Sequence, residues 1–431
     1  MSARVAMAEP PSVKGWCPGA LRPMQTGDGL IVRVRPRCGA LSAKQALVVS
    51  EVARCHGNGL VDLTRRANIQ IRGVDARDLA HVWSALSEGG LIDAHADAEA
   101  VRNVMVSPLT GVDPTEVYDV RPTATALETA LSETRALWLL PGKFGFVVDG
   151  GGLLPLDGER ADIRLRAIPG DGGFRVAIGV DTAGGPQWLG LYDVGEACTA
   201  AIRLALAFVE LPKRTPRARM RDLDAVDVAS MRTVLSDCGV PAGCVAARTS
   251  SSSNRVGPIE VRGVPVAVGL GAPFGRISAQ ALARIAEAAA ALGIPAFRLS
   301  PWRVLYAPVD NGGQARDLLA AARACGLVTT PEDPLLAIDA CPGAPACRSA
   351  CADTRAVARL VAGMMPLPGV KSVHVSGCTK GCARSRSADL VFVAGAEGFG
   401  IVRNGMAATS PDAHLARADL SDLPAILRAG A

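Results

Sequence analysis

Four cysteines stand in a pattern suited to metal. Cys341-Pro-Gly-Ala-Pro-Ala-Cys347 is a C-x5-C pair, and after thirty intervening residues Cys378-Thr-Lys-Gly-Cys382 is a C-x3-C pair. Two short thiolate pairs on separate loops can converge to supply the four ligands of a [4Fe–4S] cubane. Structural zinc more often uses C-x2-C to C-x4-C spacing on both sides. Gly343, Gly377 and Gly381 flank the pairs and permit tight loops whose amide N–H groups point at sulfur. Spacing leaves a rival ligand set open, because Cys347 and Cys351 also form a C-x3-C, and four ordinary buried thiols remain the bland alternative. The other cysteines, 17, 38, 55, 198, 238, 244 and 325, are isolated and read as small buried apolar residues.

A second chemical feature is basic. The span from Leu60 to Val74 reads as one strand, in which Thr64, Arg66, Asn68, Gln70 and Arg72 share a face opposite Leu63, Ala67, Ile69 and Ile71. Arg33, Arg35 and Arg37 alternate in the same way with Val32 and Val34. Neighbouring strands of this kind would present a sheet of guanidinium groups, which pair bidentately with carboxylates. The alternative is a solvated sheet face, but such faces usually mix Glu, Lys and Thr, and no acid lies between Thr64 and Arg72.

The elements that must carry these residues are repeated. An apolar strand, Leu30 to Val34, leads to Gly39, and Ser42 opens a helical pattern stopped by Gly57. About 236 residues on, Val264 to Leu270, Gly275, Ser278 and Gly293 repeat that order. Each copy continues into a basic strand, Leu60 to Val74 and Ile294 to Val309, and a helix opening Ala-Arg-Asp-Leu at Ala76 and Ala315. A mixed segment, Val101 to Leu211, separates the copies, and Leu336 to Met406 follows the second, giving the order A-B-A′-B′. The stretch Pro212 to Val256, rich in Arg, Pro and Ser, reads as a linker between the halves.

Composition sets the outer bounds. A chain of 431 residues is too long for one compact core. No apolar run approaches the roughly 18 residues that span a bilayer, so no membrane contact is expected. Met1 to Lys14 lacks the pattern of a secretory signal, which makes the cytoplasm the expected address and thiolate ligation more natural than disulfides. Net charge is only +5, with forty arginines against six lysines, and no nucleic-acid partner is expected. No G-x-G-x-x-G opens a helix after a strand, so a bound dinucleotide is not indicated.

Taken together, the C-x5-C and C-x3-C pairs, the A-B-A′-B′ duplication and the Arg-rich strand resemble the sirohaem-type nitrite and sulfite reductase superfamily. Within it, the run Cys17-Pro-Gly-Ala-Leu-Arg-Pro-Met-Gln-Thr-Gly-Asp-Gly-Leu is similar to the precorrin-3B synthase subgroup. The resemblance covers roughly residues 16 to 406 and implies an α+β chain with an internally duplicated nitrite/sulfite reductase fold. Its expected parts are a tail (1–15), ferredoxin-like half-domain 1 (16–95), reductase-like half 1 (100–211), the linker (212–256), ferredoxin-like half-domain 2 (257–333), reductase-like half 2 carrying the cluster (334–410) and a tail (411–431).

The resemblance also implies residue roles. Cys341, Cys347, Cys378 and Cys382 become the cluster ligands, which makes Cys351 a spare. Leu63-Thr64-Arg65-Arg66-Ala67-Asn68-Ile69-Gln70 places Arg66 at the active-site arginine, Arg102-Asn103-Val104 matches a strand-opening motif, and Leu140-Pro141-Gly142-Lys143-Phe144 places Lys143 at the catalytic-site lysine. Asn68, Gln70, Arg72, Arg298 and Arg303 would line a tetrapyrrole pocket. Two departures stand out. Gly145 replaces a second lysine of the sulfite reductases, and Ala383-Arg384-Ser385 stands where the synthases often have Ala-His-Pro, leaving His374 as the nearest histidine for a mononuclear iron. The implied reaction is hydroxylation of precorrin-3A at C20 by dioxygen, with lactone closure by the ring A acetate. It would use the [4Fe–4S] cluster, a non-haem iron, and NADH through an electron-donor protein. The competing readings are a sirohaem-dependent nitrite or sulfite reductase, and an iron–sulfur electron-transfer or tetrapyrrole-binding protein.

Overall fold

A computed structural model describes residues 16–170, 173–211, 215–216, 218–235, 245 and 255–416. In chain order the first repeat runs through β1 (Met24–Thr26), β2 (Gly29–Val34), β3 (Ala40–Ser42), α1 (Ala43–Cys55), β4 (Leu60–Leu63), β5 (Ile69–Val74) and α2 (Leu79–Glu88). The first reductase-like segment holds α3 (Ala96–Val101), β6 (Val104–Val106), α4 (Arg121–Glu133), β7 (Phe146–Asp149), β8 (Ile163–Gly170), β9 (Gly173–Thr182), β10 (Gly185–Tyr192) and α5 (Val194–Glu210), and is followed by α6 (Ala225–Leu235). The second repeat comprises β11 (Gly257–Val261), β12 (Val264–Gly271), β13 (Arg276–Ser278), α7 (Ala279–Ala291), β14 (Ala296–Leu299), β15 (Val304–Pro308) and α8 (Gly312–Ala324). The last segment contains β16 (Ile338–Ala340), α9 (Thr354–Ala362), β17 (Val373–Ser376), β18 (Ala388–Ala394), β19 (Gly398–Gly405) and β20 (Ala413–Ala416).

Local chemistry explains the matching helices. Ser42 accepts a hydrogen bond from the Gln45 N–H at 3.1 Å while the Gln45 side chain accepts one from the Ser42 N–H, a reciprocal cap. Ser278 caps α7 through the Ala281 N–H at 3.1 Å. These serines fix the offset of the repeats at 236 residues. The backbone repeats at that interval too: Cys38 and Phe274, and likewise Ala67 and Arg303, are non-glycine residues with positive φ.

The two repeats exchange strands. One five-stranded sheet has the order β1-β2-β5-β4-β13 and the other β11-β12-β15-β14-β3, so each accepts a short strand from the other repeat. The strand that leaves each sheet runs directly into its helix, and α1 packs on α7. Neither ferredoxin-like half is therefore a closed unit.

The span Leu60 to Val74, expected as one basic strand, is a hairpin instead. Thr64 Oγ1 accepts from the N–H groups of Arg66 and Asn68 at 3.2 and 3.1 Å, and Ala67 takes φ 52°. Antiparallel pairing then joins Val61 to Ile71 and Leu63 to Ile69. Ser300 holds the equivalent bend between β14 and β15 by bonding both the N–H and the carbonyl of Val304. A hydroxyl beginning each bend is the sequence signal that strand alternation masked.

The two reductase-like segments share a topology as well. The sheet β10-β9-β8-β7-β6 and the sheet β16-β17-β18-β19-β20 each have two parallel pairings followed by two antiparallel ones, with a helix, α4 or α9, crossing between the first two strands. Two compact units result. One comprises residues 15–24 and 31–329, and the other residues 25–30 with 330 onward. In the first, α4 and α5 pack Leu127, Leu131, Leu204 and Phe208 against Phe144, Phe146 and Ile178. In the second, Val391, Val393 and Val402 form a smaller core.

Two expected boundaries shift. The stretch 212–256 is not all linker, since α6 buries Val228, Met231 and Leu235 in the first core, and Tyr192 donates to the Leu235 carbonyl at 2.9 Å. The tail expected from 411 begins with a paired strand, β20. Residues 1–15, 417–431, Cys238 and Cys244 lie outside the described residues. Among the described residues, no helix is long and apolar enough to cross a membrane.

Candidate functional site

The cysteine pairs follow two adjacent parallel strands. Register joins Ala340 of β16 to Val375 of β17, so Cys341 and the Gly377–Cys378 turn leave the sheet at neighbouring carboxyl ends. Residues thirty-odd apart in sequence thereby reach one place. The N–H of Gly377 donates to Cys341 Sγ at 3.2 Å. A Cβ on Gly377 would lie 3.4 Å from that sulfur and 2.6 Å from Ala350 Cβ, so glycine is required for the backbone to approach the thiolate. Gly343 and Gly381, at φ 70° and 63°, turn the two loops, and a Cβ on Gly343 would meet Thr354 at 2.6 Å. Thr354 Oγ1 donates to the Cys341 carbonyl at 2.7 Å, tying the first loop to the start of α9.

Burial and neighbouring charge act together on the second cysteine pair. Burial pushes the Cys378 thiol up, the Lys380 N–H opposes this, and Cys347 and Cys341 add to the rise. Burial likewise raises Cys382, opposed by Lys380 and reinforced by Cys341, Cys378 and Cys347. Cys378 and Cys382, held up in this way with Cys341 and Cys347 among the groups acting on them, suit a cationic iron core that takes the place of their protons. The Cys351 N–H donates to the Gly377 carbonyl at 3.0 Å. Among the described residues, no three His, Cys, Asp or Glu side chains are placed to hold a single metal ion. His374 is fully buried on β17, and a Cβ on Gly381 would lie 3.6 Å from its Cε1.

The basic residues belong to the other unit, and the structure divides them. Arg66 sits in the β4–β5 bend, half-buried, and burial lowers its pKa. Gly145 makes room for it: a Cβ there would lie 3.3 Å from Arg66 Nη1. The position that lacks the second lysine thus accommodates a guanidinium from a different element. Beneath it, Asp162 accepts from the Gly145 N–H at 2.8 Å and from Arg219 at 2.6 Å. Arg33 on β2 donates to the Gln70 amide oxygen at 2.7 and 3.2 Å and is hydrogen-bonded to Cys17, with burial lowering its pKa. Lys143 is exposed in the loop before β7. Asn68 is buried, its N–H engaged by Thr64.

Other arginines are consumed internally. Arg102 is 4% exposed and makes a bidentate pair with Asp93, the nearest contact at 2.7 Å, while Glu128 lies 3.6 Å away. Burial pulls its pKa down, but Asp93 more than offsets this. Arg35 pairs with Glu99 at 2.6 Å, and burial lowers it to about 10. Arg72 pairs with Asp62 at 3.3 Å, and Asp62 also holds Arg276 at 2.7 Å. Asp93 and Glu99 come from other segments, and Asp62 reaches Arg72 only because the span folds back as a hairpin, so reading along one strand missed these pairs. Glu99 further accepts from the N–H groups of Ala20 and Leu21 at 2.7 and 3.0 Å, and a Cβ on Gly19 would strike it at 2.7 Å, which explains the Pro-Gly-Ala at 18–20. Arg303 occupies the β14–β15 bend at φ 62°. Arg298, on β14, is half-buried, and its Nε has no hydrogen-bond partner among the described residues.

Comparison with known proteins agrees with this architecture. Residues 22–89 match the model of the nitrite/sulfite reductase ferredoxin-like half domain, and residues 97–233 that of the nitrite and sulphite reductase 4Fe-4S domain. The second match falls on the first reductase-like copy, whereas the four cysteines lie in the second. The chain belongs to the nitrite and sulfite reductase family. Among its relatives, a precorrin-3B synthase of a Sinorhizobium species is 32% identical over 93% of this chain and 85% of its own length. A ferredoxin–nitrite reductase of Synechococcus elongatus is 26% identical over 94% and 86% of the two chains. The structure of Mycobacterium tuberculosis NirA shares the fold, with a TM-score of 0.74 and 21% identity over 93% of this chain and 80% of that one. The chain carries the internally duplicated α+β fold of that family, whose named members are enzymes, and the family supports an iron–sulfur cluster.

Proposed function

We propose that this protein is an oxygen-dependent monooxygenase of the precorrin-3B synthase type, hydroxylating precorrin-3A at C20 while the ring A acetate closes a lactone. The observation that carries the reading is Arg66 lodged over Gly145, in a chain 32% identical to a precorrin-3B synthase. A small oxyanion is best held by several short-range cations, and the lysine that would complete such a set is replaced by space for a guanidinium. A polycarboxylate macrocycle instead favours planar, bidentate donors.

Cys341, Cys347, Cys378 and Cys382 would hold the [4Fe–4S] cluster. With a non-haem iron it would supply the electrons and oxygen activation that the reaction requires, because triplet oxygen does not insert into carbon unaided. The protein's own side chains bind and orient. Arg66 offers a partly desolvated cation whose charge a carboxylate would complete, and Lys143 offers an exposed one. Gln70 holds Arg33 from the side and thereby fixes where that guanidinium points. Arg72 and Arg102 take positioning roles in this reading, because their carboxylate partners are already within the chain. Reducing equivalents would come from NADH through an electron-donor protein in the cytoplasm.

Anaerobic purification followed by iron, sulfide and haem analysis tests the proposal. Iron above the roughly four atoms of one cubane, no haem, and oxygen uptake dependent on precorrin-3A are the expected results. A sirohaem spectrum with nitrite or sulfite reduction would replace this reading with the reductase one. A cluster without any turnover would leave an electron-transfer or tetrapyrrole-binding protein.

A further inference from the structure

Thr26-Gly27-Asp28-Gly29 contributes no cysteine and no arginine to the site, yet it lies against the first cysteine loop. It forms the turn between β1 and β2, and residues 25–30 fall in one compact unit with residues 330 onward. The Thr26 hydroxyl closes the turn, 2.6 Å from the Gly29 carbonyl and 2.9 Å from the Asp28 carboxylate. The Gly27 N–H donates to the Ala346 carbonyl at 3.1 Å. A Cβ on Gly27 would overlap the Pro345 carbonyl oxygen and lie 3.1 Å from the Ala346 carbonyl carbon. Backbone meets backbone there, so no change of rotamer could relieve the overlap.

The duplication supplies an internal control. At the repeat offset of 236 residues, fixed by Ser42 and Ser278, Gly27 becomes Gly263 in the turn between β11 and β12. Gly263 answers to conformation: its φ is 77°, and a Cβ there would meet nothing within 4 Å. Gly27 is the converse case. Its φ lies outside the left-handed region, and what demands glycine is the closeness of the cysteine loop.

The contact falls on the peptide that introduces Cys347. The Ala346 carbonyl and the Cys347 N–H belong to one planar unit. The carbonyl accepts from Gly27, and the N–H donates to the Gly343 carbonyl at 2.8 Å. Both polar ends of that peptide are therefore held, one by its own loop and the other by a turn far back in the chain.

We propose that the turn at residues 26–29 positions Cys347 by pinning the peptide that precedes it, and that Gly27 is the residue through which the turn acts. That Cys347 then ligates a cluster rests on the proposed function; the pinning of the loop does not.

The experiment compares the full chain with Gly27→Ala, and uses Gly263→Ala as the control that strains the matching turn without touching a loop. In metal-free protein, alkylation of the half-buried Cys347 by iodoacetamide, read by peptide mass spectrometry, should be about tenfold faster in Gly27→Ala and unchanged in Gly263→Ala. In protein purified anaerobically with its cluster, iron release to a ferrous chelator should quicken by a similar factor. The electron paramagnetic resonance line shape of the reduced cluster should change too, again in Gly27→Ala and not in Gly263→Ala. Thr26→Val removes the hydroxyl that closes the turn and should shift Cys347 reactivity the same way, while Thr26→Ser restores the parent rate; this pair keeps the test sharp if Gly27→Ala folds poorly. Rates unchanged in Gly27→Ala and Thr26→Val, or raised equally by Gly263→Ala, would overturn the proposal. Faster alkylation in a chain whose parent binds no cluster anaerobically would uphold the pinning and remove the cluster reading of the four cysteines.

Discussion

At the scale of single residues, the proposed ligand set takes Cys341, Cys347, Cys378 and Cys382 and leaves Cys351 out. Cys341→Ser, Cys347→Ser, Cys378→Ser and Cys382→Ser should each lose the cluster, seen as loss of broad visible absorbance and of bound iron and sulfide, whereas Cys351→Ser should retain both. Glu128 gives a pH signature. Burial raises its pKa, with Arg102 and the Cys38 N–H opposing. A carboxyl whose folded pKa lies above its unfolded one holds its proton more tightly in the fold. Acidification through that range therefore favours folding, and the gain is lost as pH rises above the folded pKa. Melting curves of the parent and Glu128→Gln should show the parent gaining relative stability as pH falls from neutral toward the carboxylate range. Parallel curves would show that Glu128 titrates normally.

At the scale of elements, caps and bends carry the repeated signal. Removing the Ser42 hydroxyl breaks the reciprocal cap of α1, so Ser42→Ala should cost about 1 kcal/mol in urea unfolding, and Ser278→Ala a similar amount at α7. Both helices were legible in the chain because a cap and a 3.6-residue period are local. The hairpins were not. Arg66 and Arg72 share a parity that suggests one strand face, yet the Thr64 hydroxyl and the positive φ at Ala67 fold the segment back on itself. Arg66 is thereby freed toward Gly145, while Arg72 is turned onto Asp62.

At the scale of the whole molecule, strand exchange makes the repeats interdependent. Residues 16–95 expressed alone would lack β13 as a partner for β4 and would leave β3 without β14, exposing strand edges that the intact chain pairs. This fragment should show no cooperative melting by circular dichroism, and mixing with residues 257–333 should restore it. An independently folded first fragment would show that exchange adds little. The buried pairs Arg35–Glu99 and Arg102–Asp93 also join elements far apart in the chain, and breaking a buried pair of this kind typically costs about 3–5 kcal/mol.

The sequence by itself determined the cysteine spacing, the duplicated order of elements, the serine caps and the glycines that the loops need, because these are written in short stretches where covalent order limits the backbone. The linker reading failed at α6 because that helix is held by a core assembled from distant segments. Tertiary structure alone decided that the two cysteine loops leave one sheet at neighbouring strand ends, since adjacency of β16 and β17 rather than spacing brings Cys341 to Gly377. It also decided which arginines remain available. A charge is neutralised by whichever acid the fold places beside it, and Asp62, Asp93 and Glu99 reach their arginines through pairings that no local pattern records.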